Sequence, residues 1–271
     1  MMKLKLSLAQ FRIQPGNVAD NLAIIADDAM RAADEGSQIL LLPELCTTGY
    51  VLEEAQDNPA LSSTEITSAI QKIAQERSLG IGGSWLTKID GALANTYHLI
   101  GPNGDILAQY DKIHPFRPFN EHVWLKSGTH PVIADTPWGR IGCAICYDLR
   151  FPELFRAYAQ EDVQLVLLGA EWALTRIGNW DILLRARAIE NQFFIAAVNT
   201  AGPIQDETFG GHSSIIAPTG DIVSAAGDQP AMLTAEIDLA DIPASREYLR
   251  YLDDVTPDAY KIASSGGYRS A

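Results

Sequence analysis

The stretch Gly139-Arg-Ile-Gly-Cys-Ala-Ile-Cys146-Tyr-Asp-Leu-Arg-Phe-Pro-Glu153 decides how this chain is read. Residues 140–145 alternate and then thicken into an apolar run of the kind a buried strand shows, and Pro152-Glu153 opens an amphipathic helical pattern. Cys146 therefore falls on the turn between strand and helix, held by a rigid sheet and facing the crevice beyond the strand's end. On this stretch alone two readings of the thiol stay open. Cysteine is among the most buried residue types, so Cys146 can belong to the core. It can equally be a nucleophile, which needs an electropositive, partly exposed setting that favours the thiolate.

Working outward, a length of 271 residues suits one large α/β domain over 1–271 better than two. With 47% hydrophobic and 20% charged residues the composition is that of a globular protein. No apolar run approaches the roughly 20 residues that span a bilayer. The opening residues alternate charge and apolarity as a strand does and lack the continuous apolar core of a signal peptide. A cytoplasmic protein without a membrane partner is expected. A formal net charge of -14 opposes non-specific nucleic-acid binding. Cys46, Cys143 and Cys146 are too few for a disulfide framework. Cys143 and Cys146 are spaced like a redox pair or half a zinc site, but side chains three apart on a strand point to opposite faces, so neither metal nor cofactor is expected.

In chain order, 4–11 reads as a strand, 18–33 as an amphipathic helix, and 38–44 as a strand covered on both faces and stopped by Pro43, which puts Glu44 at its exit. Residues 45–62 read as an irregular loop and 63–78 as a capped helix. Strands are expected at 79–85, 94–100 and 105–112, the last ending at Lys112, followed by a loop over 113–122 with two prolines and several rings. Strands at 131–135 and 140–146, a helix at 152–160, a strand at 163–169, a helix at 178–191 and a strand at 193–199 come next. The helix at 178–191 is expected to turn Ile182, Leu183, Ala186 and Ile189 inward. A glycine-rich loop over 202–212 precedes strands at 213–217, 221–225 and 232–237 and a short helix within 239–251. The polar, Ser- and Gly-rich residues 257–271 either fray or lie on a neighbouring subunit. The alternation indicates a mixed sheet, or two sheets covered by helices.

Glu44, Lys112 and Cys146 all stand where apolar strands stop, and in layered α/β folds such ends gather where ligands bind. Together they can cleave an amide. A carboxylate takes the thiol proton, an ammonium stabilises thiolate and oxyanion, and a thiol attacks a carbonyl carbon.

The same residues carry a resemblance to the nitrilase or carbon-nitrogen hydrolase superfamily. Its motifs are matched by Leu-Leu-Pro-Glu44, Tyr-Asp-Lys112-Ile-His, Gly-Cys-Ala-Ile-Cys146-Tyr-Asp-Leu-Arg-Phe-Pro-Glu, residues 183–192 and Gly-Gly-His-Ser-Ser at 210–214. The resemblance implies a four-layer α-β-β-α sandwich that pairs through helices into an eight-layer homodimer. It implies Glu44 as general base, Cys146 as the nucleophile that forms a thioester, and Lys112 with the backbone N–H of Tyr147 as the oxyanion hole. Glu121 is placed to be a second glutamate that bonds Lys112. Asp148 and Arg150 are expected to support the elbow through a buried ion pair or backbone bonds. Arg185, Arg187 and Glu190 are expected to pack or contact the partner subunit, and His212 to order its loop.

Cys-Tyr-Asp-Leu-Arg-Phe-Pro is similar to the amidase branches rather than to true nitrilases, and within them to ω-amidase-like proteins acting on 2-oxoglutaramate. Substrate contacts are then expected from Arg176, Trp172, Glu171 and Tyr50. Arg176 has a physical use, since a planar guanidinium binds a carboxylate bidentately. Glu171 stands where a neutral residue is expected, and a dicarboxylate substrate requires it to turn away or to pair with Arg176. The other readings are N-carbamoyl amino acid hydrolysis, deaminated glutathione or aliphatic amide hydrolysis, an inactive binding scaffold, and a redox role for the two close cysteines.

Overall fold

The alternating and apolar runs assemble into two mixed six-stranded sheets in a computed structural model that describes residues 3–256 and Ala259. Strands β1 (Lys3–Gln10), β2 (Ile39–Leu41), β3 (Gly80–Ile89), β4 (Ala92–Ile100) and β5 (Ile106–Asp111) follow one another across the first sheet. Strands β6 (Ile133–Thr136), β7 (Gly139–Ile145), β8 (Leu165–Ala170) and β9 (Phe194–Asn199) follow one another across the second. A hairpin of β10 (Ala201–Ile204) and β11 (Glu207–Gly210) intervenes before β12 (Ser214–Ile216) and β13 (Ile222–Ala225) complete the second sheet. Strand β14 (Ala231–Asp238) then returns to pair antiparallel with β1.

The two sheets share one pattern. In the first, β1, β2 and β3 are parallel neighbours, β14 is the antiparallel edge, and β4 and β5 add an antiparallel meander. In the second, β7, β8 and β9 are the parallel centre, β6 the antiparallel edge, and β12 and β13 the meander. Parallel pairs need crossovers, and helices supply them. The helices are α1 (Val18–Asp34), α2 (Leu52–Asp57), α3 (Thr64–Arg77), α4 (Glu121–Trp124), α5 (Pro152–Gln160), α6 (Ile177–Asn191) and α7 (Asp241–Tyr248). Ile25, Ala29, Ile66 and Ile70 of α1 and α3 pack with Leu40, Ile81 and Trp85 of the first sheet. Phe155 and Tyr158 of α5 and Trp180 and Leu184 of α6 belong to the core of the second sheet. That core also holds Leu6, Leu8, Tyr97, Cys143 and Leu167, where the sheets face each other. Two mixed sheets flanked by helices result, as the strand and helix alternation indicated.

Three expectations need correction. Residues 45–62 contain α2 and a 3₁₀ turn at Pro59–Ser62, anchored by Leu52, Ala55 and Leu61 in a small separate apolar cluster. The glycine-rich 202–212 segment contains the hairpin β10–β11, at the end of which the Ile177 side chain leaves no room for a Cβ on Gly210. Helix α6 buries Trp180, Leu184, Arg187, Ala188 and Asn191 instead of the expected stripe, and leaves Ile182 68% and Ile189 42% exposed. The helix carries two apolar stripes, and the bulk of Trp180 selects one. Its indole N–H donates to the carbonyl of His212, and Arg187 is buried with its Nε donating to the carbonyl of Leu149. Among the described residues no helix is long and apolar enough to cross a membrane. Residues 257–271, expected to fray or to reach a neighbour, lie outside the described residues apart from Ala259.

Candidate active site

Three strand exits meet at one end of the sheets. Glu44 follows β2 by a Leu-Pro step, Lys112 follows β5 directly, and Cys146 follows β7 directly. The approach of the two sheets there depends on Gly169 of β8: a Cβ on it would stand 3.0 Å from the carbonyl oxygen of Leu42 and 3.3 Å from the amide nitrogen of Glu44. Only a residue without a side chain lets β8 come so close to the exit of β2.

Cys146 sits at φ 45, a left-handed conformation that costs a non-glycine residue on the order of 1–3 kcal/mol unless its surroundings fix it. Asp148 supplies the fixing. Its fully buried carboxylate accepts hydrogen bonds from the amide of Ile145 (3.0 Å), the hydroxyl of Tyr110 (2.8 Å) and the amide of His114 (3.2 Å), and it lies 2.7 Å from His114 Nδ1. The expected support by Asp148 therefore works through backbone and ring contacts. The ion pair with Arg150 is not made; that guanidinium lies 4.8 Å above the ring of Trp172.

Lys112 is 3% exposed, and its Nζ donates to Glu44 Oε1 and to Glu121 Oε1, both at 2.7 Å. Burial opposes its charge, but Glu121 and Glu44 outweigh burial and hold the ammonium well above its usual range. Glu44 Oε1 also accepts from Asn95 Nδ2 (2.9 Å), and its Oε2 accepts from the amide of Glu171 (3.0 Å). Glu121 accepts from the hydroxyl of Tyr50 (2.8 Å) and the amide of Phe116 (2.5 Å), which ties the loop over 113–122 onto the site. Burial and then Glu44 push the Cys146 thiol well above the usual range, against the pull of Lys112. The resting group is thus a thiol with a carboxylate beside it, and it ionises only when that proton is taken.

The site opens into a narrow pocket lined by Phe116, Cys146, Tyr147, Arg150, Glu171, Trp172 and Arg176. A wider cleft adjoins it along Tyr50, Phe119, Glu171 and the turn of the β10–β11 hairpin. The residues expected from the sequence are therefore brought together: Glu44, Lys112, Glu121 and Tyr50 in one bonded cluster, Cys146 beside it with its Sγ donating to the carbonyl of Glu171 at 3.8 Å, and Tyr147, Glu171, Trp172 and Arg176 around the pocket. The pairing of Glu171 with Arg176 does not form. Arg176 lies 5.5 Å from the centroid of Phe116, and its carbonyl accepts the indole N–H of Trp172. Among the described residues neither Arg150 nor Arg176 has a carboxylate within ion-pair distance (4.0 Å).

Sequence reasoning missed Asn95, Asn199 and the pocket position of Arg150. Asn199 accepts from the amide of Trp172 at 2.7 Å and donates to its carbonyl, so it sets the pocket wall. The available signal was a buried polar residue inside each of two apolar strands or at its end. Cys143 lies in the core, where burial pushes its thiol up to about 12. His212 lies 3.1 Å from Asp181 through its Nδ1, in keeping with a role in ordering its loop.

Residues 5–247 match the family model of the carbon-nitrogen hydrolases. The chain is 34% identical over 260 residues to the 2-oxoglutaramate amidase of Bacillus subtilis (strain 168), covering 96% of this chain and 100% of that one. It is 36% identical over 279 residues to the omega-amidase NIT2-A of Xenopus laevis, covering 97% and 98%. A carbon-nitrogen hydrolase superfamily protein of Xanthomonas campestris, with an arsenic adduct in its active site, superposes with a TM-score of 0.88 at 29% identity over 94% of this chain and 98% of that one. A mutant of the amidase from Nesterenkonia sp. AN1 in complex with butyramide superposes with a TM-score of 0.85 at 28% identity, over 95% and 96%. This chain belongs to the carbon-nitrogen hydrolase family, as an amide hydrolase with a cysteine at its active site.

Proposed function

We propose that the chain hydrolyses the terminal amide of a small acid whose other end is a carboxylate, of the kind represented by 2-oxoglutaramate, through a thioester on Cys146. The observation that carries this reading is the pair of guanidinium groups, Arg150 and Arg176, that line the pocket of Cys146 without a carboxylate partner among the described residues. A guanidinium fork matches a carboxylate in geometry and charge. The names of the two relatives at 34% and 36% identity point to the same substrate class.

The cycle follows from the bonded cluster. Glu44 takes the Sγ proton as sulfur attacks the amide carbon, and the carbonyl π pair moves onto oxygen, where Lys112 Nζ and the N–H of Tyr147 receive it. Collapse of this tetrahedral adduct re-forms the carbonyl and breaks the C–N bond, with the nitrogen taking the proton from Glu44 and leaving as ammonia. A water then gives its proton to Glu44 and attacks the thioester, and the departing sulfur recovers that proton. Glu121 keeps Lys112 aimed at the site and stands ready to accept from the amide or the water.

The exposed Ile182 and Ile189 of α6 support pairing of two copies through helices, as the family resemblance implied.

A second reading, hydrolysis of neutral aliphatic amides, is favoured by the butyramide complex of the Nesterenkonia amidase. Ammonia release from 2-oxoglutaramate and from butyramide separates the two. The expected result is a kcat/KM at least tenfold higher for the carboxylate amide, with Arg176→Ala raising KM about tenfold for that substrate alone. Equal loss on both amides would remove Arg176 from carboxylate recognition.

A further inference from the structure

The buried end of the sheets holds more acid than it can neutralise. Glu44, Glu121 and Glu171 are all buried there, and Lys112 is the ammonium among them. Lys112 bonds Glu44 and Glu121, and among the described residues Glu171 has no cation within ion-pair distance. Glu171 is 4% exposed, and its Oε1 is enclosed with no hydrogen-bond partner among the described residues. Its position is nevertheless tightly fixed. Its amide donates to Glu44 Oε2 at 3.0 Å, its carbonyl accepts from Cys146 Sγ at 3.8 Å, and it lines both the pocket and the adjoining cleft. A lone buried carboxylate is far costlier than a buried carboxylic acid, so the proton stays on. In accord with this, burial and then Glu44 push Glu171 well above the usual carboxylate range, against a smaller pull from Lys112.

Resting on the substrate reading above, we infer that Glu171 is a specificity-determining residue that works as a neutral carboxylic acid, its O–H donating a hydrogen bond to a 2-oxo group on the substrate's acyl chain. The places left for the substrate's other groups lead there. The amide oxygen goes to Lys112 and the Tyr147 N–H, the amide nitrogen faces Glu44 and Glu121, and the far carboxylate goes to Arg150 and Arg176. The oxo oxygen is the remaining acceptor on such a molecule, and a protonated Glu171 is a buried donor that lines the pocket and has no hydrogen-bond partner for its Oε1 among the described residues. An ionised Glu171 would present lone pairs to that oxygen and repel the nearby carboxylate, so binding of the oxo acid weakens as the proton is lost.

The groups around it set that loss. Glu44 and Cys46 face it from the exit of β2, Lys112 and Glu121 from the exit of β5 and its loop, and Cys146 from the elbow. Arg150 and Arg176 share its pocket, while Tyr50, Glu53, Asp206 and Glu207 share its cleft.

The test compares 2-oxoglutaramate with glutaramate, which lacks the oxo group, as a ratio of kcat/KM across pH, so that titrations of Cys146 and Glu44 common to both substrates cancel. In the native enzyme the oxo substrate is expected to lead by about tenfold near neutral pH, with the lead shrinking as pH rises. Glu171→Gln keeps an N–H donor and should hold the lead at alkaline pH. Glu171→Leu should cut the lead about tenfold, through KM for the oxo substrate, with glutaramate little changed; Glu171→Met replaces it if the leucine variant does not fold. Equal rates for the two amides in the native enzyme, or a lead untouched in Glu171→Leu, would overturn the inference. Turnover of butyramide with neither carboxylate amide used would overturn the substrate reading and the oxo assignment with it. Independently of any substrate, the infrared difference between native enzyme and Glu171→Gln should contain the C=O stretch of a protonated carboxyl at neutral pH; its absence would refute the neutral acid.

Discussion

The exits of β2 and β8 occupy corresponding places in two sheets of the same topology, and each carries a buried glutamate, Glu44 and Glu171. They differ in what surrounds the carboxyl. Glu44 accepts hydrogen bonds from Lys112, Asn95 and the amide of Glu171. Glu171 has no donor at its enclosed oxygen and sits beside the charge of Glu44. The comparison teaches that residue type and topological place do not assign a role; the hydrogen-bond partners do. In the proposed cycle Glu44 is the acid that takes and returns protons, and Glu171 the one that keeps its own.

The sharpest way to break that comparison is to remove the ionisable group at each exit in turn. Glu44→Gln should lower kcat on the order of 10³-fold, the usual weight of a general base, whereas Glu171→Gln should change it less than tenfold. Equal losses in steady-state kinetics would mean that both acids move protons and the contrast is false. A smaller but still large effect is expected from Lys112→Met, which leaves Glu44 and Glu121 buried without their cation. Breaking a buried pair from one side costs roughly 3–5 kcal/mol, so urea unfolding should show a loss of that order together with loss of turnover. The smallest effect is on stability against pH. Because the folded-state pKa of Glu171 is raised, the folded protein holds a proton that the unfolded chain releases above the ordinary value of 4.5. The contribution of Glu171 is therefore full below that value and falls as pH rises toward its folded-state pKa. The stability of Glu171→Gln relative to the native protein should climb over the same interval in thermal or urea unfolding, and a constant difference would show that Glu171 is ionised throughout.

The comparison itself could not be read from the sequence. The exits of Glu44, Lys112 and Cys146 were legible because apolar runs stop abruptly there, and 152–160 was legible because Pro152 starts a clear amphipathic helix, found at Pro152–Gln160. The shared topology of the two sheets leaves no repeated motif, since each sheet fills its own core with different residues. The inward face of α6 was misjudged because Ile182 and Ile189 repeat at helical spacing as well as the buried set does, and only contacts distant in sequence decide between them. The β10–β11 hairpin is hidden in the sequence by its glycines, whose backbone is held by residues outside it: the amide of Gly210 donates to the carbonyl of Trp172 and that of Gly211 to the carbonyl of Thr200. For Arg150 the family resemblance implies a support of the elbow; the turn of the elbow swings it over Trp172 and into the pocket, which nothing in its sequence neighbourhood signals.

The close passage of Gly169 past Leu42 and Glu44 gives the chemistry a dependence on bare geometry. The amide that orients Glu44 follows directly on the strand that Gly169 sets in place, so one added methyl group there would press on the Leu42 carbonyl and the Glu44 amide and shift the two exits by a few tenths of an ångström with every side chain of the site retained. Catalytic power in this fold is thus exposed to the thickness of its own backbone: an error of a few tenths of an ångström between two strands reads out as a slower enzyme, even where every reacting group is still present.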